Sequence, residues 1–140
     1  MLTDYIHELC AILDIDVPKI SHDTSHFQTD TTLEQVDSNG ETIYIRKFHD
    51  PNPDQLFAIA HELRHIWQMK NNEQLYFADY KTSNQLNSVE KYNLQLAEID
   101  ANAFAAIVME DFFRLSPQWK NLPESVVTKI NERISYILEN

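Results

Sequence analysis

The chain has 140 residues, 43% of them hydrophobic and 24% charged, which suits a single domain over residues 1–140 with one core. A formal net charge of −11 would repel the phosphate backbone, which argues against nucleic acid as a direct partner. Cys10 is the only cysteine, so no intrachain disulfide can form. The sequence contains neither an apolar segment long enough to span a membrane nor a basic, apolar leader, so we expect a cytoplasmic protein without a membrane partner.

The first half of the chain predicts one helix and a small sheet. Apolar residues recur at helical spacing over residues 3–14. Residues 42–46 are rich in β-branched and aromatic side chains and follow the turn signal Asn39-Gly40, which predicts a hairpin with residues 32–36 as the partner strand. Residues 26–29 are a candidate third strand. We expect the sheet to be antiparallel.

Three longer helices are predicted after the sheet. The first covers residues 53–70, with Asn52 as a capping residue and Pro in the first turn. Residues 71–87 are polar and predict a loop, residues 88–114 predict one long helix, and residues 124–138 predict a last amphipathic helix. The expected fold class is therefore α+β, with a small antiparallel sheet packed against several helices.

The second predicted helix contains the sequence His61-Glu62-Leu63-Arg64-His65, an HExxH pattern. Residues four apart on a helix share one face, so both imidazoles can reach a single metal ion. Glu62 is rotated by about 100° from His61, which lets it flank the metal instead of binding it. The pattern predicts a zinc site with Glu62 as a general base.

The following helix supplies a candidate third ligand in Glu98. Asn102 lies four residues later on the same face, where it could accept a hydrogen bond from the outer nitrogen of a ligand histidine. Asp100 is the competing carboxylate, but it lies about 160° away from Glu98 around the helix. We expect Glu98 to bind the metal and Asp100 not to.

The two motifs together resemble the ImmA/IrrE-like metallopeptidases. HELRH at 61–65 and EIDANAFA at 98–105 are similar to the HExxH and downstream ExxANxFA of that family, and the run FAIA at 57–60 is similar too. The resemblance covers about residues 42–110 and implies a minimal zincin-like (gluzincin) core. Arg64 departs from the family, where glycine is frequent; its long side chain would either narrow the cleft or point to solvent.

The resemblance also implies an activity. It makes His61, His65 and Glu98 zinc ligands and Glu62 the base that takes a proton from a zinc-activated water during peptide-bond hydrolysis. Some relatives cleave a repressor or another regulator, so the implied partner is a protein or peptide substrate, with a regulator as one candidate. The alternative function is a zinc-binding interaction module without useful turnover.

Two parts of the mechanism stay open at this level. The group that stabilises the oxyanion has five candidates: Tyr76, Tyr80, Tyr92, His49 and Arg64. The strand at 42–46 could hold an extended peptide by edge pairing, or it could be an ordinary sheet strand.

Overall fold

The computed structural model describes residues 2–23, 25, 27, 34–37, 39–47 and 52–139. Its elements in chain order are α1 (Leu2–Leu13), β1 (Lys19–Ser21), β2 (Glu34–Val36), β3 (Thr42–Ile45), α2 (Pro53–Phe77), α3 (Ser83–Leu86), α4 (Val89–Asn93), α5 (Leu96–Phe113) and α6 (Glu124–Glu139). The α+β class predicted from the sequence is confirmed.

The sheet has the order β1-β3-β2, with β3 in the middle. β2 pairs antiparallel with β3, and Gly40 supplies the positive φ of 70° in the turn between them, as the hairpin signal predicts. β1 pairs parallel with β3, so the sheet is mixed and the purely antiparallel expectation is wrong. The parallel pair arises because the chain makes a long connection, residues 22–41, between the two strands.

The third strand also differs from the prediction. It is β1, whereas most of the predicted strand at 26–29 lies outside the described residues and Phe27 is not in a strand. Residues 32–33 of the predicted partner strand lie outside the described residues as well. Because β3 has a neighbour on each side, it has no open edge for an extended peptide, which corrects that expectation.

The helix α2 begins as predicted. The Asn52 side chain accepts a hydrogen bond from the backbone N of Gln55 at 2.9 Å, and Pro53 follows the cap. The helix runs beyond the predicted end, to Phe77, with extended backbone at Asn72 (φ −167°, ψ 77°). The Asn72 side chain accepts from the backbone N of Leu75 at 3.1 Å, so it caps a second helical segment where a loop was predicted.

The predicted single helix at 88–114 is divided into α4 and α5. Gln95 is the point of division, because its backbone is extended (ψ 141°) and its side chain bonds both the backbone N and O of Lys81, at 2.7 and 2.9 Å. Beyond this break, α5 is buried almost all round, since α2 packs on one side and α6 on another. The polar side chains in its first half, Glu98, Asp100 and Asn102, are therefore buried.

The main core lies between α1, the sheet, α2 and α5. Cys10 is a buried member of it. A second cluster joins α6 to α5 through Ala103, Val126 and Ile130. Within the described part of the chain, no helix combines the length and apolar character needed to cross a membrane.

Candidate metal centre

The facing surfaces of α2 and α5 bring three possible metal ligands together. His61 and His65 are one turn apart on α2, and Glu98 lies in the first turn of α5. The Glu98 carboxylate is 3.1 Å from His61 Nε2 and 3.0 Å from His65 Nε2, and the two Nε2 atoms are 3.1 Å apart. Among the described residues, this is the group of histidine and acidic side chains that could hold a metal ion.

The tautomer of His65 follows from its neighbour Gln68. Gln68 Nε2 donates to the carbonyl O of Ala97 at 2.9 Å and to Asp100 Oδ2 at 2.8 Å, and both partners are acceptors only. The Gln68 amide is therefore fixed with Oε1 toward His65 Nδ1, 2.8 Å away. His65 Nδ1 must carry a hydrogen, which leaves Nε2 with its lone pair when the ring is neutral.

Asn102 contacts His61 as Gln68 contacts His65, with its side-chain amide oxygen next to Nδ1. Its Oδ1 lies 2.8 Å from His61 Nδ1, which is the contact expected from the four-residue spacing of Glu98 and Asn102. Two neutral imidazoles held this way aim their Nε2 lone pairs at each other and at the Glu98 carboxylate. A cation suits such a donor set, since ligand atoms around tetrahedral zinc stand about 3.3–3.6 Å apart.

The electrostatics of the three groups favour a bound positive charge. Burial alone would raise the pKa of Glu98, but the His65 and His61 imidazoles hold it well below its usual range. Burial alone would lower the pKa of His65, but the Glu98 carboxylate beside it raises that pKa to about 9 in the metal-free chain. The Glu98 charge is thus kept in the interior by the positive charge placed against it.

Glu62 lies beside this cluster without joining it. Its pKa is raised by burial, against the charges of His65 and His61, which lower it. A carboxylate with a raised pKa accepts a proton more readily than one in water.

Arg64 is buried (7% exposed), so neither sequence expectation for it is right: it does not narrow the cleft or point to solvent. Arg64 Nε and Nη2 donate to the two oxygens of Asp100 at 2.7 and 3.0 Å, and its guanidinium stacks on Trp67, 3.6 Å from the ring centroid. With Gln68 Nε2 already counted, Arg133 Nε from α6 is the fourth donor to Asp100, at 2.9 Å. Asp100 is thus paired with two arginines and is not a member of the group formed by His61, His65 and Glu98.

The three tyrosine hydroxyls that were candidates for stabilising the oxyanion already have hydrogen-bond partners. Tyr80 OH donates to Glu98 Oε2 at 2.8 Å and is 3.0 Å from Tyr92 OH, so these two hydroxyls support the Glu98 carboxylate. Tyr76 OH accepts from Arg133 at 3.1 Å. His49 lies outside the described residues.

Sequence reasoning missed Gln68, Asp100 and Arg133 as parts of this centre. One signal was available for the first two. Gln68 and Asp100 fall on core-facing positions of α2 and α5, where both are completely buried, and a buried polar residue normally has a partner.

A comparison with known families assigns the chain. The sequence profile described as the IrrE N-terminal-like domain (Peptidase M78) matches residues 10–135, which is most of the chain. The chain belongs to this family. As an M78 family member it is related to peptidases, and the profile match includes α2 and α5 with all three possible ligands. No curated protein and no solved structure matches the chain.

Proposed function

We propose that this M78 family member is a zinc-dependent peptidase that hydrolyses a peptide bond in a protein partner. The observation that carries the proposal is the convergence of His61 Nε2, His65 Nε2 and the Glu98 carboxylate within 4.8 Å of one another. Two imidazole nitrogens and one carboxylate are a donor set that suits zinc and leaves a coordination position open for chemistry.

Glu62 has the reactive role in this proposal. A bound zinc would supply Lewis acidity, which acidifies a water and polarises the peptide carbonyl. Glu62 accepts the proton from the attacking water and delivers it to the leaving amine. Gln68 and Asn102 keep the Nδ1 atoms of His65 and His61 occupied, so that both Nε2 atoms face the metal.

The peptide is proposed to extend the sheet at β2. Among the described residues, β2 pairs on one side only, with β3, and it packs against the helix that carries Glu62. An extended segment can therefore add its backbone hydrogen bonds to the outer edge of β2. This moves the expected binding edge from residues 42–46 to β2.

The test of the metal site is the zinc content of Glu98→Ala. We expect about one zinc per chain in the unmodified protein, measured by elemental analysis after purification without chelator, and a severe loss in the variant because one of three ligands is gone. Glu110→Ala is the matched control, since Glu110 is exposed on the same helix. Full zinc in Glu98→Ala would remove Glu98 from the ligand set.

A second prediction concerns Gln68, which touches no metal. Gln68→Ala removes the acceptor on His65 Nδ1 and frees the ring to rotate, so we expect zinc affinity to fall by about 10–100-fold. Competition with a chelating dye measures the change, with Gln74→Ala, an exposed position on the same helix, as the control. Unchanged affinity in folded Gln68→Ala would mean that packing alone orients His65.

A further inference from the structure

Glu34, at the start of β2, is an acidic side chain buried without a visible partner. The residue is 5% exposed, and neither of its carboxyl oxygens has a hydrogen-bond partner among the described residues. Leaving an ionised carboxylate in such a place costs far more free energy than leaving a neutral one. The carboxyl group must therefore find a donor or lose its charge.

The neighbouring side chain, Gln55, also has a buried oxygen without a hydrogen-bond partner among the residues that the structure describes. The Gln55 amide lies next to the Glu34 carboxyl, is 1% exposed, and its Oε1 also lacks a partner. Gln55 Nε2 donates to the carbonyl O of Arg46 at 2.7 Å, which directs the amide nitrogen toward the end of β3. Gln55 Oε1 is thus an acceptor without a partner in the described part of the chain, on a side chain that contacts the Glu34 carboxyl.

A proton on Glu34 would give both the Glu34 carboxyl group and Gln55 Oε1 a hydrogen-bond partner. The acid O–H can donate to Gln55 Oε1, so that one proton gives two buried groups a partner. Tyr5 OH is not available for this purpose, because it donates to the carbonyl O of Leu56 at 2.8 Å.

We propose that Glu34 is a neutral carboxylic acid that donates to Gln55 and so positions the edge strand β2 against the helix carrying Glu62. Gln55 then bridges three elements: its nitrogen bonds the end of β3, its oxygen accepts from β2, and its backbone lies in the first turn of α2. The proton on Glu34 is what completes this bridge.

The charges around Glu34 agree with a neutral acid. Burial raises its pKa most, the Gln55 amide lowers it, Glu62 on α2 raises it and Arg46 after β3 lowers it, with a result of about 8. From α1, Tyr5 faces the same carboxyl, and its own pKa is raised by burial and by Glu34.

The consequence for Glu62 depends on the function proposed above, whereas the protonation of Glu34 does not. While Glu34 is neutral, it places no negative charge next to Glu62. Once Glu34 ionises, the two like charges oppose each other and the bond to Gln55 is lost.

The direct test is a carbon-13 titration of the glutamate carboxyl groups in the metal-free full chain. Through-bond correlations assign the Glu34 signal, and the Glu34→Gln variant, which lacks that signal, checks the assignment. We expect Glu34 to keep the chemical shift of a protonated acid through neutral pH and to titrate near 8. Titration at an ordinary glutamate value of about 4.3 would overturn the proposal.

The second test compares the thermal stability of Glu34→Gln with that of the unmodified chain. The folded pKa is raised, so the unfolded chain loses its proton first, and the unmodified protein loses stability as pH rises from about 4.5 to about 8. Glutamine keeps a donor for Gln55 and has no acidic proton, so its Tm advantage is expected to widen by about 5 °C or more between pH 5 and pH 8.

Glu41→Gln is the matched control, because Glu41 is exposed next to β3 and its Tm difference is expected to stay constant over the same pH range. A constant Tm difference for Glu34→Gln as well would overturn the proposal. Both measurements use metal-free protein, so loss of the proposed peptidase activity would leave their outcome unchanged.

Discussion

Replacing Glu62 with glutamine is expected to abolish peptide hydrolysis and to leave the zinc in place. Glutamine has the size of glutamate but cannot take a proton from the attacking water, and general-base catalysis contributes about 10²–10⁴-fold to rate. Glu62 does not belong to the His61, His65 and Glu98 group, so the three ligand atoms are unaffected.

The measurement is cleavage of a proteome-derived peptide library, with products identified by mass spectrometry and zinc content measured on the same samples. Glu73→Gln is the matched control, since Glu73 is exposed on the same helix. Equal cleavage by Glu62→Gln and the unmodified chain would remove Glu62 from the mechanism. Zinc binding without cleavage by either would favour the zinc-holding interaction module.

Asp100→Asn is expected to be the most destabilising conservative change near the metal centre. Asp100 is completely buried and accepts hydrogen bonds from Arg64, Arg133 and Gln68. The substitution leaves the buried guanidinium of Arg64 without its opposing charge, and removing one partner of a buried pair costs about 3–5 kcal/mol. Asp100 is not one of the three proposed ligands, so the folded variant is expected still to bind zinc, with an affinity lowered only through the altered contact to Gln68.

Urea denaturation at neutral pH measures the free energy of unfolding for this variant. Asp111→Asn, an exposed position on the same helix, is expected to change that free energy by less than about 0.5 kcal/mol. A similarly small change for Asp100→Asn would mean that the Arg64 contact to Trp67 and the surrounding packing suffice to hold the guanidinium.

The elements that could be predicted from sequence are those with local signals. The start of α2 is specified by Asn52 and Pro53, and the hairpin by Asn39-Gly40, within a few residues of chain. The meeting of His61 and Glu98 was predictable from the paired motifs, because each motif places its side chains on one helix face.

The features that could not be predicted depend on distant contacts. The break before α5 is held by Gln95 bonding to the backbone of Lys81, and β1 is too short for its sequence to indicate a strand. Arg64 looks like a surface residue by type, and only its position within the buried stripe of α2 indicates otherwise. Its partner Asp100 comes from a helix 36 residues away.

Arg133 reaches from α6 to Asp100, so α6 helps to support the proposed metal site. Asp100 also accepts from Gln68, and Gln68 contacts His65, so a continuous chain of hydrogen bonds runs from α6 to the proposed metal ligand His65. Such coupling is reciprocal: if the packing of α6 stabilises metal binding, metal binding stabilises the packing of α6 by the same free energy. Removal of a bound ion is thereby expected to speed hydrogen exchange along the 16 residues of α6, although none of them is among the three proposed ligands.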